Sequence, residues 1–164
     1  MSGFVFNPPN ADTEPPAPPP AADAVMFDGW WPNMNITAVR DAIRIDTTVT
    51  PDRLRDAVRQ AMLDVAAALA DWRIDQEAAG YASLADVPAR IMVDGVSDYV
   101  MRFNRAVYSV VGADLAERQI GSRLTSAGAD RAEELSADID IHTRNVSWAV
   151  RDFLGRTRVI AEAL

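Results

Sequence analysis

Seven of the ten prolines stand within the first 28 residues, five of them as Pro15, Pro16, Pro18, Pro19 and Pro20. Proline fixes φ and lacks a backbone donor, so this stretch supports neither helix nor central strand, and extended polyproline-like backbone is its low-energy form. It also carries Asp12, Glu14, Asp23 and Asp28 with no balancing base. Such a segment is expected to be disordered alone and to become ordered only on a partner. The fold must be built after it, where only Pro32, Pro51 and Pro88 interrupt the chain.

At roughly 100–200 residues per domain, 164 residues make one domain. The periodicity after residue 28 is helical throughout. Asn35 is placed to cap a short first helix with Ile36, Val39 and Ile43 on its apolar side, running to about Arg44. Thr50 caps a second, with Pro51 at the tolerated first position and Asp52 complementing the dipole. Leu54, Val58, Ala61, Val65, Leu69 and Trp72 follow at spacings of three and four, and Gly80 stops the helix. Pro88 and then Asp94-Gly95 mark a loop and a turn. A third helix carries Tyr99, Phe103, Val107, Val111 and Leu115. A fourth carries Leu135, Ile139, His142, Val146, Ala149 and Phe153 up to Gly155. No strand alternation is visible in the body. The sequence predicts an all-α fold: a small helical bundle with two long antiparallel helices, the second and third, Leu69 and Trp72 lying near Val96, Tyr99 and Phe103. The expected divisions are an arm at 1–28, a helical domain at 29–155 and an extended C-terminal tail at 156–164.

Composition removes whole classes of function. The chain has no cysteine, which excludes disulfides, thiolate zinc sites and cysteine nucleophiles. All 16 basic residues are arginine, against 24 acidic ones, for a net charge of −8. An acidic surface grips neither a phosphate backbone nor an anionic membrane, and no apolar run approaches a membrane span, so the chain is expected to act in the compartment where it is made. The eight glycines are scattered, with no phosphate-cradling loop and no hydrolase or metalloprotease signature. The single histidine, His142, lies on the apolar side of the fourth helix four residues after Asp138. One histidine on one helix completes neither a catalytic site nor a metal site, so it is expected to be packed, its ring nitrogens meeting Asp138 or a backbone carbonyl. Asp138 with Asp140 does not share a helix face and Glu133-Glu134 reads as solvated. No catalytic residue, metal site or cofactor is predicted, and the chain is not expected to be an enzyme. Arg53, Arg55, Arg59 and Arg73 are expected to pair with Asp52, Asp56 and Asp71 on a solvated side.

What remains is a helical body with adhesive ends. Trp30 and Trp31 point to different sides of the chain, so they either cap the bundle together or anchor in a neighbouring subunit, where tryptophan is enriched. After Gly155, Arg156-Thr157-Arg158-Val159-Ile160 alternates polar and apolar residues with β-branched ones among them. A lone strand needs a partner edge. The segment is expected to add to another chain, burying Val159, Ile160 and Leu164 and pairing Arg156 and Arg158 with carboxylates at the rim. The alternative is that it folds back over the bundle as a cap.

Several short motifs recur in a familiar order: Thr48-Val49-Thr50-Pro51-Asp52-Arg53-Leu54, Ala68-Leu69 with Trp72-Arg73, Gly80-Tyr81 with Leu84-Ala85-Asp86-Val87-Pro88, Asp94-Gly95, Asp114-Leu115-Ala116-Glu117-Arg118 and Trp148-Ala149-Val150-Arg151. From about Phe27 to Leu164 the chain resembles the head completion/stabilisation protein (GpL) family of contractile-tailed temperate phages, departing from it at Gln119-Ile120-Gly121-Ser122. The resemblance implies a structural head–tail connector. It would form a homo-oligomeric ring, normally of twelve subunits, below the portal protein, where it stabilises the DNA-filled head and offers the tail completion (terminator) protein a platform. Genomic DNA would slide past acidic walls without sequence-specific contact. Such a protein acts in the neck of the virion after assembly in the host cytoplasm, with no membrane partner. The competing reading, a small terminase-like DNA-recognition subunit, requires a basic helix-turn-helix that no segment supplies.

Overall fold

A computed structural model describes residues 23–43, 45, 49–122 and 129–156. Helices dominate: α1 (Ile36–Ala42), α2 (Pro51–Ala68), α3 (Ala70–Ala78), α4 (Asp98–Ser122) and α5 (Ala129–Phe153). Two small antiparallel ladders accompany them, β1 (Ala24–Val25) with β2 (Met34–Asn35), and β3 (Met92–Val93) with β4 (Val96–Ser97). The all-α expectation holds, while the expectation that the body offers no strand is corrected by these ladders.

The helix boundaries follow local capping chemistry. The side chains of Asn35 and Thr50 accept from the backbone N–H of Ala38 and Arg53, satisfying donors that the first turns leave open. At the other ends, Gly80 N–H bonds the carbonyl of Glu77 and Tyr81 N–H that of Gln76. Gly155 and Arg156 repeat the pattern on Asp152 and Arg151. Both are closed by a glycine of positive φ, 96° at Gly80 and 67° at Gly155.

The predicted helix from 51 to 79 is in fact two. Leu69, at φ −109° and ψ 9°, ends α2 and begins α3. The break leaves Leu69 buried and brings Trp72 against Trp30, Tyr99 and Phe153. No proline or glycine marks it.

The core lies between α2 and α4, where Leu54, Val58, Met62 and Val65 meet Phe103, Val107 and Val111. The two run antiparallel. Asp52 and Asp56 near the start of α2 line a crevice with Asp114 and Arg118 of α4, and Trp72 packs on Tyr99 at the opposite end. The most extensive helix pairing, however, is between α4 and α5. Arg102 with Asp152, Arg105 with Asn145 and Gly112 with His142 form successive antiparallel rungs. Hydrophobic periodicity shows that a face is apolar and does not name the face it meets, so this partnership was not predicted.

Six residues assigned to the arm belong to the folded body. Val25 is buried, the Asp23 carbonyl accepts from Ile36 N–H at 2.8 Å, and Arg55 Nη1 donates to the Ala24 carbonyl at 3.0 Å. Asp28 holds Arg73, as described below.

Candidate interaction surface

Between Met92-Val93 and Val96 stands Asp94-Gly95, whose φ values are 51° and 75°. Positive φ at both central residues is the requirement of a two-residue type I′ hairpin. The turn pairs Val93 with Val96 and Met92 with Ser97. Hydrogen-bonded and non-bonded pairs alternate in an antiparallel ladder, and a two-residue loop closes on a bonded pair, so the amide and carbonyl of Met92 point away from β4. Ile91 and Met92 are 61% and 58% exposed, and Val93 and Val96 are exposed as well. The outer edge of β3 is a pairing template with apolar side chains around it.

Arg90 fixes this hairpin to the helices. Its backbone N–H donates to Asp98 Oδ1 at 3.1 Å, its Nε to the Tyr99 hydroxyl at 3.0 Å and its Nη2 to the Phe153 carbonyl at 2.8 Å. The last bond places a cation on the open carbonyl end of α5, where the helix dipole favours it. Asp98 is buried and also accepts from Arg102 Nε at 3.4 Å, and Arg102 Nη1 reaches Asp152 at 2.7 Å. A buried carboxylate is tolerated only when partnered in this way.

Hairpin, α4 and α5 enclose an open groove of about 350 Å³. Ile91, Val93, Met101 and Trp148 give it apolar walls, the Asp98–Arg102–Asp152 chain lies at one part of it, and Arg105 is also on its lining. Arg144 stands 5.0 Å from the Trp148 ring. Exposed apolar side chains grouped around a concave surface mark an interaction site rather than a solvated face.

Behind the groove is an aromatic cluster that keeps its walls in place. Trp31 stacks on Phe103 with centroids 4.7 Å apart, and Phe153 packs edge-on to Trp72 at 4.5 Å and to Tyr99 at 5.2 Å. Trp30 and Trp31, the two candidate anchors, are 5% and 2% exposed within this chain's own core. The Trp30 indole N–H donates to the Tyr81 carbonyl at 3.3 Å. The Arg73 guanidinium lies over both rings, 5.1 Å and 5.9 Å from their centroids, and is held there by Asp28 and Glu77. Arg73 therefore pairs with these two acids and not with Asp71. Burial pushes the Asp28 carboxyl up, but the Arg73 hydrogen bond and the N–H groups of Trp31 and Trp30 outweigh it and hold the group below its ordinary value.

Of the remaining candidates, Arg156 is exposed at the end of α5, whereas Arg158, Val159, Ile160 and Leu164 lie outside the described residues. His142 packs on Gly112, and its Nδ1 is buried with no hydrogen-bond partner among the described residues. The Asp138 side chain is outside the described set. Among the described residues no three His, Cys, Asp or Glu side chains gather as a metal site, and no helix is long and apolar enough to cross a membrane. Ile91, Met92, Val93, Met101 and Trp148 were missed by sequence reasoning. A signal for the first three existed, an Asp-Gly dipeptide between β-favouring residues, but it was read only as a turn.

Residues 25–164 match a family described as "Phage head completion protein (GPL)". The "Head completion/stabilization protein" of Escherichia phage P2 is 34% identical over 149 residues, a stretch covering 90% of this chain and 88% of that protein. No solved structure matches the chain.

Proposed function

Because the chain belongs to the phage head completion protein (GPL) family, we propose that it is a structural, non-catalytic component of the virion that completes and stabilises the DNA-filled head. The observation that carries this reading is the match itself, which runs across the whole described body from residue 25 onward.

In this reading the protein is a head–tail connector. Copies form a ring, normally of twelve, below the portal protein. They join after DNA packaging, lengthen the channel, keep the genome inside and give the tail completion protein its seat. The net charge of −8 supports such a channel, since like-charged walls let DNA slide without sticking. The rigid aromatic body behind an exposed apolar groove supports a part that docks on others. Trp30 and Trp31 serve contacts indirectly, by holding the groove from within, while residues 156–164 supply the strand that fastens to portal or to a neighbouring subunit.

The test uses DNA-filled, portal-bearing heads that lack this protein. Adding the purified chain is expected to raise nuclease-resistant DNA and to permit tail joining in proportion to the protein bound. Heads that neither bind the chain nor retain more DNA refute the proposal. The isolated chain is also expected not to bind duplex DNA at moderate ionic strength; salt-dependent binding would instead favour a packaging subunit that recognises DNA.

A further inference from the structure

We propose that the groove between α4 and α5 receives α3 of a second copy of this chain, with Ile74 seated between Met101 and Trp148 and with Asp71 and Asp75 meeting Arg105 and Arg144. The inference rests on the ring of copies proposed above and names the two surfaces that join them. On α3, Asp71, Ile74, Asp75 and Ala78 recur at spacings of three and four and so share one face. All four are exposed, Ile74 at 61%. The fold gives this face a cost that it does not answer. Arg73 is turned to Asp28 and Glu77, and among the described residues neither Asp71 nor Asp75 has an ion-pair partner. Like charges four residues apart weaken a helix, and Asp75 stands in the last turn, where the dipole disfavours a carboxylate. Cations from outside the chain remove both costs.

The groove supplies the complement. Met101 of α4, 44% exposed, and Trp148 of α5 line it together. Arg105 follows Met101 by about one turn, and Arg144 precedes Trp148 by about one turn. Because α4 and α5 run antiparallel, both arginines lie at the same end of the groove, away from the Asp98–Arg102–Asp152 chain. Arg105 bonds the neutral Asn145 Oδ1 at 3.4 Å and Arg144 stands 5.0 Å from the Trp148 ring, so among the described residues neither has a carboxylate partner. Two exposed acids beside a protruding isoleucine thus match two arginines beside an apolar cleft, in sign and in hydropathy. Trp, Met and Arg are also the side chains enriched where subunits meet. Asp98 and Asp152 repel an acidic face, which fixes the end of the groove at which Asp71 and Asp75 settle.

The two surfaces stand on opposite sides of the aromatic cluster, so they join copies and do not join a chain to itself. Trp72 packs on Tyr99 and Phe153, which lie behind the groove. Ile74 comes two residues later, about 200° around the helix, and points away from them. A contact between two different patches is heterologous: each copy offers α3 to one neighbour and its groove to the other, and the contact repeats until the rotation closes a ring. Pairing two grooves face to face would instead set arginine against arginine.

The absence of native cysteine gives a clean test. Full-length Ile74→Cys and a size-tagged full-length Met101→Cys are mixed, concentrated and oxidised with copper–phenanthroline, in solution and on portal-bearing heads. The expected product is the mixed disulfide dimer, several-fold above either homodimer, while Arg53→Cys at the far end of α2 gives no such excess with Met101→Cys. Arg105→Glu with Arg144→Glu on the groove chain is expected to lower the mixed yield several-fold. Asp71→Arg with Asp75→Arg on the α3 chain does the same, and the two reversals together restore the yield; circular dichroism verifies that each variant is helical. Mixed dimers no more abundant than homodimers in both settings, Met101 homodimers in excess, or a yield indifferent to either reversal overturns the proposal. If heads bind no chain, the yield in solution decides alone. Head binding and DNA retention are scored separately, so a chain that docks and seals without the Ile74–Met101 cross-link loses this inference and keeps the connector reading.

Discussion

Gly112 on α4 lies directly against the imidazole of His142 on α5: a Cβ added at Gly112 would stand 2.6 Å from Cε1 and 2.7 Å from Nε2. The histidine ring fills the space that a side chain would take, and the two helices approach because nothing but hydrogen intervenes. Alanine would gain about 1 kcal/mol of helix propensity over glycine, but forcing a methyl into a filled site costs about 1–3 kcal/mol. Gly112→Ala is expected to destabilise by up to about 2 kcal/mol in urea unfolding. The Gly112→Ala, His142→Ala double variant should be more stable than Gly112→Ala alone, because the clash is gone. A stabilising single variant would show that the ring is free to move aside.

Asp28 joins Arg73 and the Trp30–Trp31 turn, and its carboxyl is held below its ordinary value. A lowered carboxylate contributes stability above its unfolded value of about 4, and the contribution disappears as pH falls through the lower folded value. Stability measured from pH 6 downward is expected to fall more steeply in the parent than in Asp28→Asn. Parallel acid limbs would remove Asp28 from the balance.

Leu69 is 1% exposed at the junction of α2 and α3. Leu69→Ala is expected to cost about 2–5 kcal/mol. A loss below about half a kcal/mol would mean that the junction collapses to fill the space.

Residues 23–28 are part of the body. A chain beginning at Gly29 loses β1, the buried Val25 and the Asp28–Arg73 pair. Relative to a chain beginning at Asp23, it is expected to lose at least the roughly 1.5–3 kcal/mol of one buried aliphatic side chain. Equal melting temperatures would return this segment to the arm.

What the residues determine by themselves is local. Asn35 and Thr50 as caps, Pro51 at a helix start, and Gly80 and Gly155 as stops were all legible, because each acts on backbone groups within five positions of itself. The apolar periodicity made the chain helical, and the order of short motifs pointed to its family. Tertiary structure alone decided the rest. Arg73 chose Asp28, 45 residues away, over its neighbour Asp71, and Leu69 broke a helix that every local preference would continue. α4 took α5 as its most extensive partner, with Gly112 set directly against the His142 ring at one rung. The groove arises only where a hairpin, the start of α4 and the end of α5 converge on Arg90. Periodicity fixes which side of an element seeks burial; which sides meet depends on volume, charge and chain reversal acting across the whole molecule.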